Sequence, residues 1–123
     1  MILVDTSIWI EHLRSHLPPL AKALEDGTVA THPWVIGELA CGHLHNRQTL
    51  LGLLNGLPRV SVAADHEVLL TIENRRLMGR GIGFIDAHLL TSAMLSQTTI
   101  WTADRRLAAV ADELGLRWPA EPV

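Results

Sequence analysis

Four carboxylates in this chain stand where an ordinary solvated acid would not. Asp5 follows the apolar run Met1-Ile2-Leu3-Val4, and Asp104 follows the β-branched stretch at 98–102 across Ala103. Asp86 heads the apolar stretch Ala87-His88-Leu89-Leu90, and Glu38 has Trp34, Val35, Cys41 and Gly42 as its neighbours at helical spacing. A buried carboxylate without a partner is unfavourable enough that it either neutralises or meets a cation. No Lys or Arg stands three or four residues from Glu38 or Asp86, so the cation has to come from outside the chain. Hard oxygen ligands without a His or Cys set select Mg²⁺ or Mn²⁺ over Zn²⁺. Such a site lowers the pKa of a bound water and stabilises the charge of an in-line phosphoryl displacement. Taken singly, Asp86 and Asp104 also suit helix N-caps and Glu38 suits a surface position. Asp5 is less suited to a capping role, because Thr6 and Ser7 already offer it. The agreement of all four placements, two after strands and two on apolar helix faces, favours a shared site.

The elements that would carry these acids are legible from pattern. Residues 1–5 read as a buried strand, with a helix following to about 13 capped by Thr6 or Ser7. A short helix at 20–25 follows Pro19, and 28–30 is a brief strand. Pro33 opens a helix to about 46, and 48–55 is a Leu-rich helix stopped by Gly56-Leu57-Pro58. Residues 60–62 read as a strand, 65–78 as a long helix capped by Asp65, and 79–83 as a glycine loop. An apolar helix at 86–96, a strand at 98–102, a last helix at 104–114 ended by Gly115, and an edge strand at 116–118 complete the chain. Strands alternating with helices indicate one α/β domain over 1–123, its parallel sheet covered on both faces. In such a sheet ligands bind beyond the carboxyl ends of the strands, which is where Asp5 stands.

Composition narrows the functional classes. The formal charge of −3 excludes a polyelectrolyte binder but not a local basic patch. Nine of the ten basic residues are Arg, the better partner for phosphate, and only Lys22 is Lys. The single Cys41 forbids an intrachain disulfide and reads as a small buried hydrophobe. No apolar run approaches the roughly 18 residues of a membrane helix, and the first strand leaves no room for a signal, so the expectation is a soluble cytoplasmic protein without membrane contact.

At the level of motifs the chain resembles the PIN-domain ribonucleases, and within them the VapC toxins of VapBC toxin–antitoxin systems. The matching pieces are Ile2-Leu3-Val4-Asp5-Thr6-Ser7-Ile8-Trp9-Ile10, Val35-Ile36-Gly37-Glu38-Leu39, Gly83-Phe84-Ile85-Asp86-Ala87-His88-Leu89-Leu90 and Trp101-Thr102-Ala103-Asp104-Arg105-Arg106-Leu107. The resemblance implies a three-layer α/β/α sandwich with a four- or five-stranded parallel sheet. It implies that Asp5, Asp86 and Asp104 ligate Mg²⁺ or Mn²⁺, that Glu38 joins them directly or through water, and that Ser7 and Thr102 orient a water or an acid. It also implies endonucleolytic cleavage of RNA, including structured RNA such as tRNA. A cognate VapB-type antitoxin would lay its C-terminal segment across the groove. Where many relatives carry an aromatic residue soon after the last acid, this chain has Leu107. Aromatics are few overall, so recognition by backbone geometry and Arg contacts is expected rather than base stacking.

Several other features bear on the site. Arg75, Arg76, Arg80, Arg105 and Arg106 are candidate RNA contacts. Gly81-Ile82-Gly83 is read as a loop shaping the groove, His43 and His45 as surface or interface residues, and His88 as a packed side chain. Trp9, Trp34 and the Leu-rich segment 50–57 suggest a homodimer or antitoxin interface, with core packing as the competing account. Two other functions compete. A phosphatase with Asp5 as nucleophile would want a second Asp where Ser7 stands and a Lys near 79–86 or 104. A non-catalytic RNA- or partner-binding module would tolerate the loss of an acid, and none is lost.

Overall fold

The computed structural model describes residues 1–119. Strand β1 (Ile2–Val4) leads into α1 (Thr6–Ser15) and α2 (Pro18–Glu25), and then into β2 (Val29–Ala30). Four helices follow, α3 (Pro33–Ala40), α4 (Arg47–Asn55), α5 (Asp65–Arg75) and α6 (Phe84–Ser96), before β3 (Thr99–Trp101) and α7 (Arg105–Glu113). The sheet order is β2-β1-β3, parallel throughout, with Leu3 paired to Ala30 on one side and to Ile100 on the other. A chain that places β2 on one side of β1 and β3 on the other has its topological switch point between β1 and β3. The crevice at their carboxyl ends is therefore the place where this topology accommodates a ligand.

The sheet has three strands, not the four or five expected. At the places of the other two are single parallel bridges, Thr31 to Arg59 and Ile100 to Arg117. The reason is visible in the hydrogen bonding. Thr31 N–H donates to Pro58 O (2.8 Å) and Val60 N–H to Thr31 O (3.0 Å). Strand β2 then gives way to α3, with His32 its N-cap and Pro33 its first residue, so the ladder has nothing further to pair with. The alternate N–H groups of Ser61 and Ala63 go to Ser96 Oγ (2.7 Å) and Ser92 Oγ (3.0 Å) of α6. On the other edge Ile100 N–H reaches Leu116 O (2.6 Å) and Trp118 N–H reaches Ile100 O (2.8 Å), and Pro119, a residue of strand edges and ends, follows directly.

Helix limits also differ from the sequence reading. Helix α3 stops at Ala40, short of 46, because Gly42 weakens it and the Arg47 guanidinium bonds the carbonyls of Ala40 and Gly42. Helix α5 stops at Arg75, where Arg76 takes a left-handed conformation (φ 53°). Its N-cap is Ala64 rather than Asp65, and Glu67 reaches back to the Ala64 N–H (2.8 Å). Helix α6 begins at Phe84, two residues before Asp86. Cys41 is exposed and not buried, since the shortened α3 leaves it in the turn.

The core joins Leu3, Val4 and Ile100 of the sheet to Leu20 of α2, Val35 and Leu39 of α3, Leu89 and Leu90 of α6, and Leu107 and Val110 of α7. Trp9 and Leu54 belong to this core, 1% and 0% exposed, so neither is surface for a partner, whereas Leu53 is 52% exposed. Among the described residues no helix is long and apolar enough to cross a membrane.

Candidate functional site

Asp5 leaves β1 at the switch point, its N–H bonded to Trp101 O (2.9 Å) on β3. The residue caps α1 by position, yet its carboxylate makes no capping bond. Instead Oδ2 accepts the hydroxyls of Ser7 (2.8 Å) and Thr102 (2.7 Å). The two hydroxyl oxygens are 3.3 Å apart, but each has one proton and both protons are committed to Asp5. Their lone pairs accept the N–H of Ala103 onto Ser7 (3.0 Å) and of Asp104 onto Thr102 (3.1 Å). Ser7 and Thr102 thus tie the end of β1 to the turn that carries Asp104 and leave the other Asp5 oxygen for another partner.

Asp104 is the N-cap of α7, with Oδ1 accepting the N–H of Arg106 (2.9 Å) and Leu107 (3.1 Å). Asp86 sits in the first turn of α6 and accepts the Gly83 N–H (3.1 Å) through Oδ2. Both acids therefore serve as caps and still have a second oxygen. Glu38, exposed on α3, accepts the Thr6 hydroxyl (2.9 Å), a link from the start of α1 that the sequence reading missed because Thr6 was assigned to capping.

Electrostatics joins the four acids. The half-buried Asp86 carboxyl is held above the usual carboxylate range, first by burial and then by the charges of Asp5, Asp104 and Glu38, against the lowering effect of the Gly83 N–H. Among the described residues the ion pairs join Lys22 to Asp26, Arg80 to Glu113 and His88 to Asp65, and none reaches the acids. Nor, among them, do three or more His, Cys, Asp or Glu side chains form a ready-made metal cage. The only lysine is spent on Asp26 (2.9 Å), which weakens the Asp5-nucleophile alternative.

The basic candidates separate. Arg80 forks onto Glu113 with two bonds of 2.8 Å, which raise the Arg80 pKa and lower that of Glu113. Arg106 lies across Gly81, where an added Cβ would fall 2.7 Å from its Cδ. Arg75, Arg76 and Arg105 are exposed, and among the described residues none of the three pairs its guanidinium with the four acids.

Behind the site a buried histidine, also missed, fixes α3 against α6. His32 caps α3 by accepting the Trp34 N–H on Nδ1 (3.0 Å), so its ring proton lies on Nε2, 3.3 Å from Ser92 Oγ. Burial, and then the neighbouring His88, lower its pKa to about 4, which keeps the ring neutral. Pro33 marks the start of the helix in the sequence but gives the histidine before it no role. His88 is packed, with its ring 4.1 Å from Trp34 and Nε2 2.9 Å from Asp65 Oδ1. A groove of about 370 Å³ has Glu38 in its lining, together with Ile10, Leu13, Arg14, His43, Leu44 and His45.

Thr102→Val tests the support of Asp5. It removes one donor from Oδ2 and the acceptor of the Asp104 N–H, so stability should fall by about 1–3 kcal/mol and any activity of the site by about 10–100-fold. Thr102→Ser should restore both. Urea unfolding and initial rates measured on the two variants decide it.

The PIN domain family model matches residues 2–113. Over 117 residues the chain is 46% identical to Ribonuclease VapC32 of Mycobacterium tuberculosis, in each of two strains, and the match covers 94% of either protein. The crystal structure of PAE2754 from Pyrobaculum aerophilum matches with a TM-score of 0.67 at 19% identity, over 98% of this chain and 87% of that one. At that identity the likeness is one of fold.

Proposed function

From membership of the PIN-domain VapC ribonuclease family, to which this chain belongs, we propose that it is the toxin of a type II toxin–antitoxin pair, a metal-dependent endoribonuclease acting in the cytoplasm. What supports this reading is that Asp5 and the turn carrying Asp104 are tied together through Ser7 and Thr102, and that the charges of Asp5, Asp104 and Glu38 all act to raise the Asp86 pKa. The chain is read as one domain across 1–123, its helices covering both faces of the sheet in a three-layer α/β/α arrangement.

The donor set fits Mg²⁺ or Mn²⁺. All four groups are carboxylates, and Asp5, Asp86 and Asp104 each commit one named oxygen to the protein and keep the other. Asp5, Asp86 and Asp104 would hold the ion, with Glu38 directly or through water, since Mg²⁺ retains waters and needs only one or two carboxylates. When bound, such an ion supplies a water of lowered pKa and screens the charge that builds on the phosphate. Ser7 and Thr102 keep Asp5 oriented. The Asp86 pKa is raised by burial and by the neighbouring acids, and a bound cation would lower it. Arg106, Arg105, Arg75 and Arg76 are candidates for the phosphate backbone, and Arg80 would have to leave Glu113 to join them. The partner would be a VapB-type antitoxin whose terminal segment lies along the groove beside Glu38, and the RNA target, tRNA included, would enter from the same side. A homodimer would use the exposed leucines, such as Leu53.

Total cellular RNA incubated with the purified protein tests this. Discrete fragments should form with Mg²⁺ or Mn²⁺, vanish in EDTA and be absent with Asp86→Asn. Intact RNA under every condition would instead favour a non-catalytic binding module.

Gly81→Ala examines Arg106. The loop takes φ +80° there and the new Cβ would meet the guanidinium arm, so the variant should lose about 1 kcal/mol of stability and displace Arg106. RNA affinity should then fall as far as in Arg106→Ala, with little further loss in the double variant. Additive losses would show that Gly81 acts without Arg106.

A further inference from the structure

Five aromatic side chains are present, and the structure gives four of them structural employment. Trp9 is 1% exposed in the core, and Trp101 and Trp118 rest on each other at 4.4 Å. Trp34 is half-buried, 4.1 Å from the His88 ring. Phe84 alone is exposed, at 43%. It is the first residue of α6, directly after Gly83 and two residues before Asp86. The first turn of a helix favours Pro or acids, so nothing local asks for an apolar ring there.

The ring is nevertheless held. It meets His88 edge to face, centroids 4.8 Å apart at 89°. His88 is itself immobilised, its Nε2 bonded to Asp65 and its ring backed by Trp34. Trp34 stands one turn before Glu38 on α3, and Phe84 begins the turn that carries Asp86. Rings from α3 and α6 thus pack in series, Phe84 edge to face on His88 and His88 against Trp34, on the two helices that also carry Glu38 and Asp86, and the outermost ring faces solvent. Met78, Ile82 and Gly83 line a hollow of about 190 Å³ next to Phe84.

We propose that Phe84 is a specificity-determining platform on which one unpaired base of the RNA stacks next to the bond to be cut. The occupant follows from continuity with the acid cluster. A scissile phosphate at the acids puts the adjoining base within reach of the start of α6, and an exposed, buttressed ring there suits any nucleobase. This inference rests on the ribonuclease reading, and it revises the expectation that stacking plays no part.

The test uses fluorescence anisotropy in EDTA, so that nothing is cut, with two labelled probes. One is a short oligoadenylate, the other an abasic ribose-phosphate strand of equal length. The native protein should bind oligoadenylate about tenfold more tightly than the abasic strand, and Phe84→Leu should bind the two alike. Phe84→Trp should restore the preference. An unchanged unfolding midpoint in Phe84→Leu confirms the fold. In cleavage assays Phe84→Leu should raise KM and leave kcat nearly unchanged. Equal binding of the two strands by the native protein, or a full preference retained in Phe84→Leu, overturns the proposal. A preference that depends on Phe84 in a protein that cuts no RNA with metal would support the stacking contact and count against the nuclease reading alone.

Discussion

Asp5→Asn should leave the fold intact and abolish metal-dependent cleavage. The asparagine oxygen can still accept the hydroxyls of Ser7 and Thr102, which donate to a single oxygen of Asp5. The junction of β1 with the turn before α7 therefore survives, and stability should change by less than about 1 kcal/mol. What is lost is the charge. If Asp5 holds the ion, cleavage falls by at least about a hundredfold, beyond the 10–100-fold typical of residues that merely support a ligand. A second readout follows from Asp86, whose pKa is raised in part by Asp5. In the variant that contribution disappears and the Asp86 titration moves down. Cleavage rates, unfolding midpoints and a carboxylate titration by NMR give the three values. Native cleavage by Asp5→Asn would remove the residue from the site.

Acid should unfold the protein earlier than its carboxylates alone would dictate. His32 is neutral in the fold with a pKa of about 4, against 6.5 when unfolded. Between these values the unfolded chain binds the additional proton, so stability is full above pH 6.5 and falls as the pH drops, levelling near 4. The loss amounts to about 3 kcal/mol at 1.36 kcal/mol per unit. The groups facing the ring are the Trp34 N–H, Ser92 and His88, none of which offers a negative charge to stabilise an imidazolium. Asp86 works in the opposite sense, because its raised pKa means that its neutralisation in acid favours the fold. Urea midpoints from pH 7 to 4 measure the sum. His32→Asn, which keeps an acceptor for the Trp34 N–H, should flatten the profile. An equal slope in that variant would acquit His32.

The parts of the molecule legible in the sequence are those decided locally. The apolar run at 2–4 ends in an acid, and β1 and Asp5 follow from that alone. Asp104 stands before a helical pattern and is its cap. What escaped was decided by distant partners. Strand pairing beyond Arg59 is cut short where β2 gives way to α3 at Pro33, and the N–H groups of Ala63 and Ser61 are held by Ser92 and Ser96, 29 and 35 residues away. Arg80 looked available until α7 brought Glu113 to it across 33 residues. The early start of α6 was hidden because Gly83, which reads as loop, serves as its N-cap. Thr6 was assigned a cap's role and instead holds Glu38 from 32 residues away.

The thinning of the sheet to one bridge on each side has a bearing on assembly. A long open strand edge is an invitation to other chains, whether a partner adding a strand or a second copy beginning an aggregate. Here the outermost pairings are at Arg59 and Arg117, each a charged residue, with Pro58 before the first and Pro119 shortly after the second. Short, charged and proline-flanked margins offer little backbone to recruit. What such a molecule presents to another chain is then its helices and grooves, read through side chains, rather than a strand edge read through backbone.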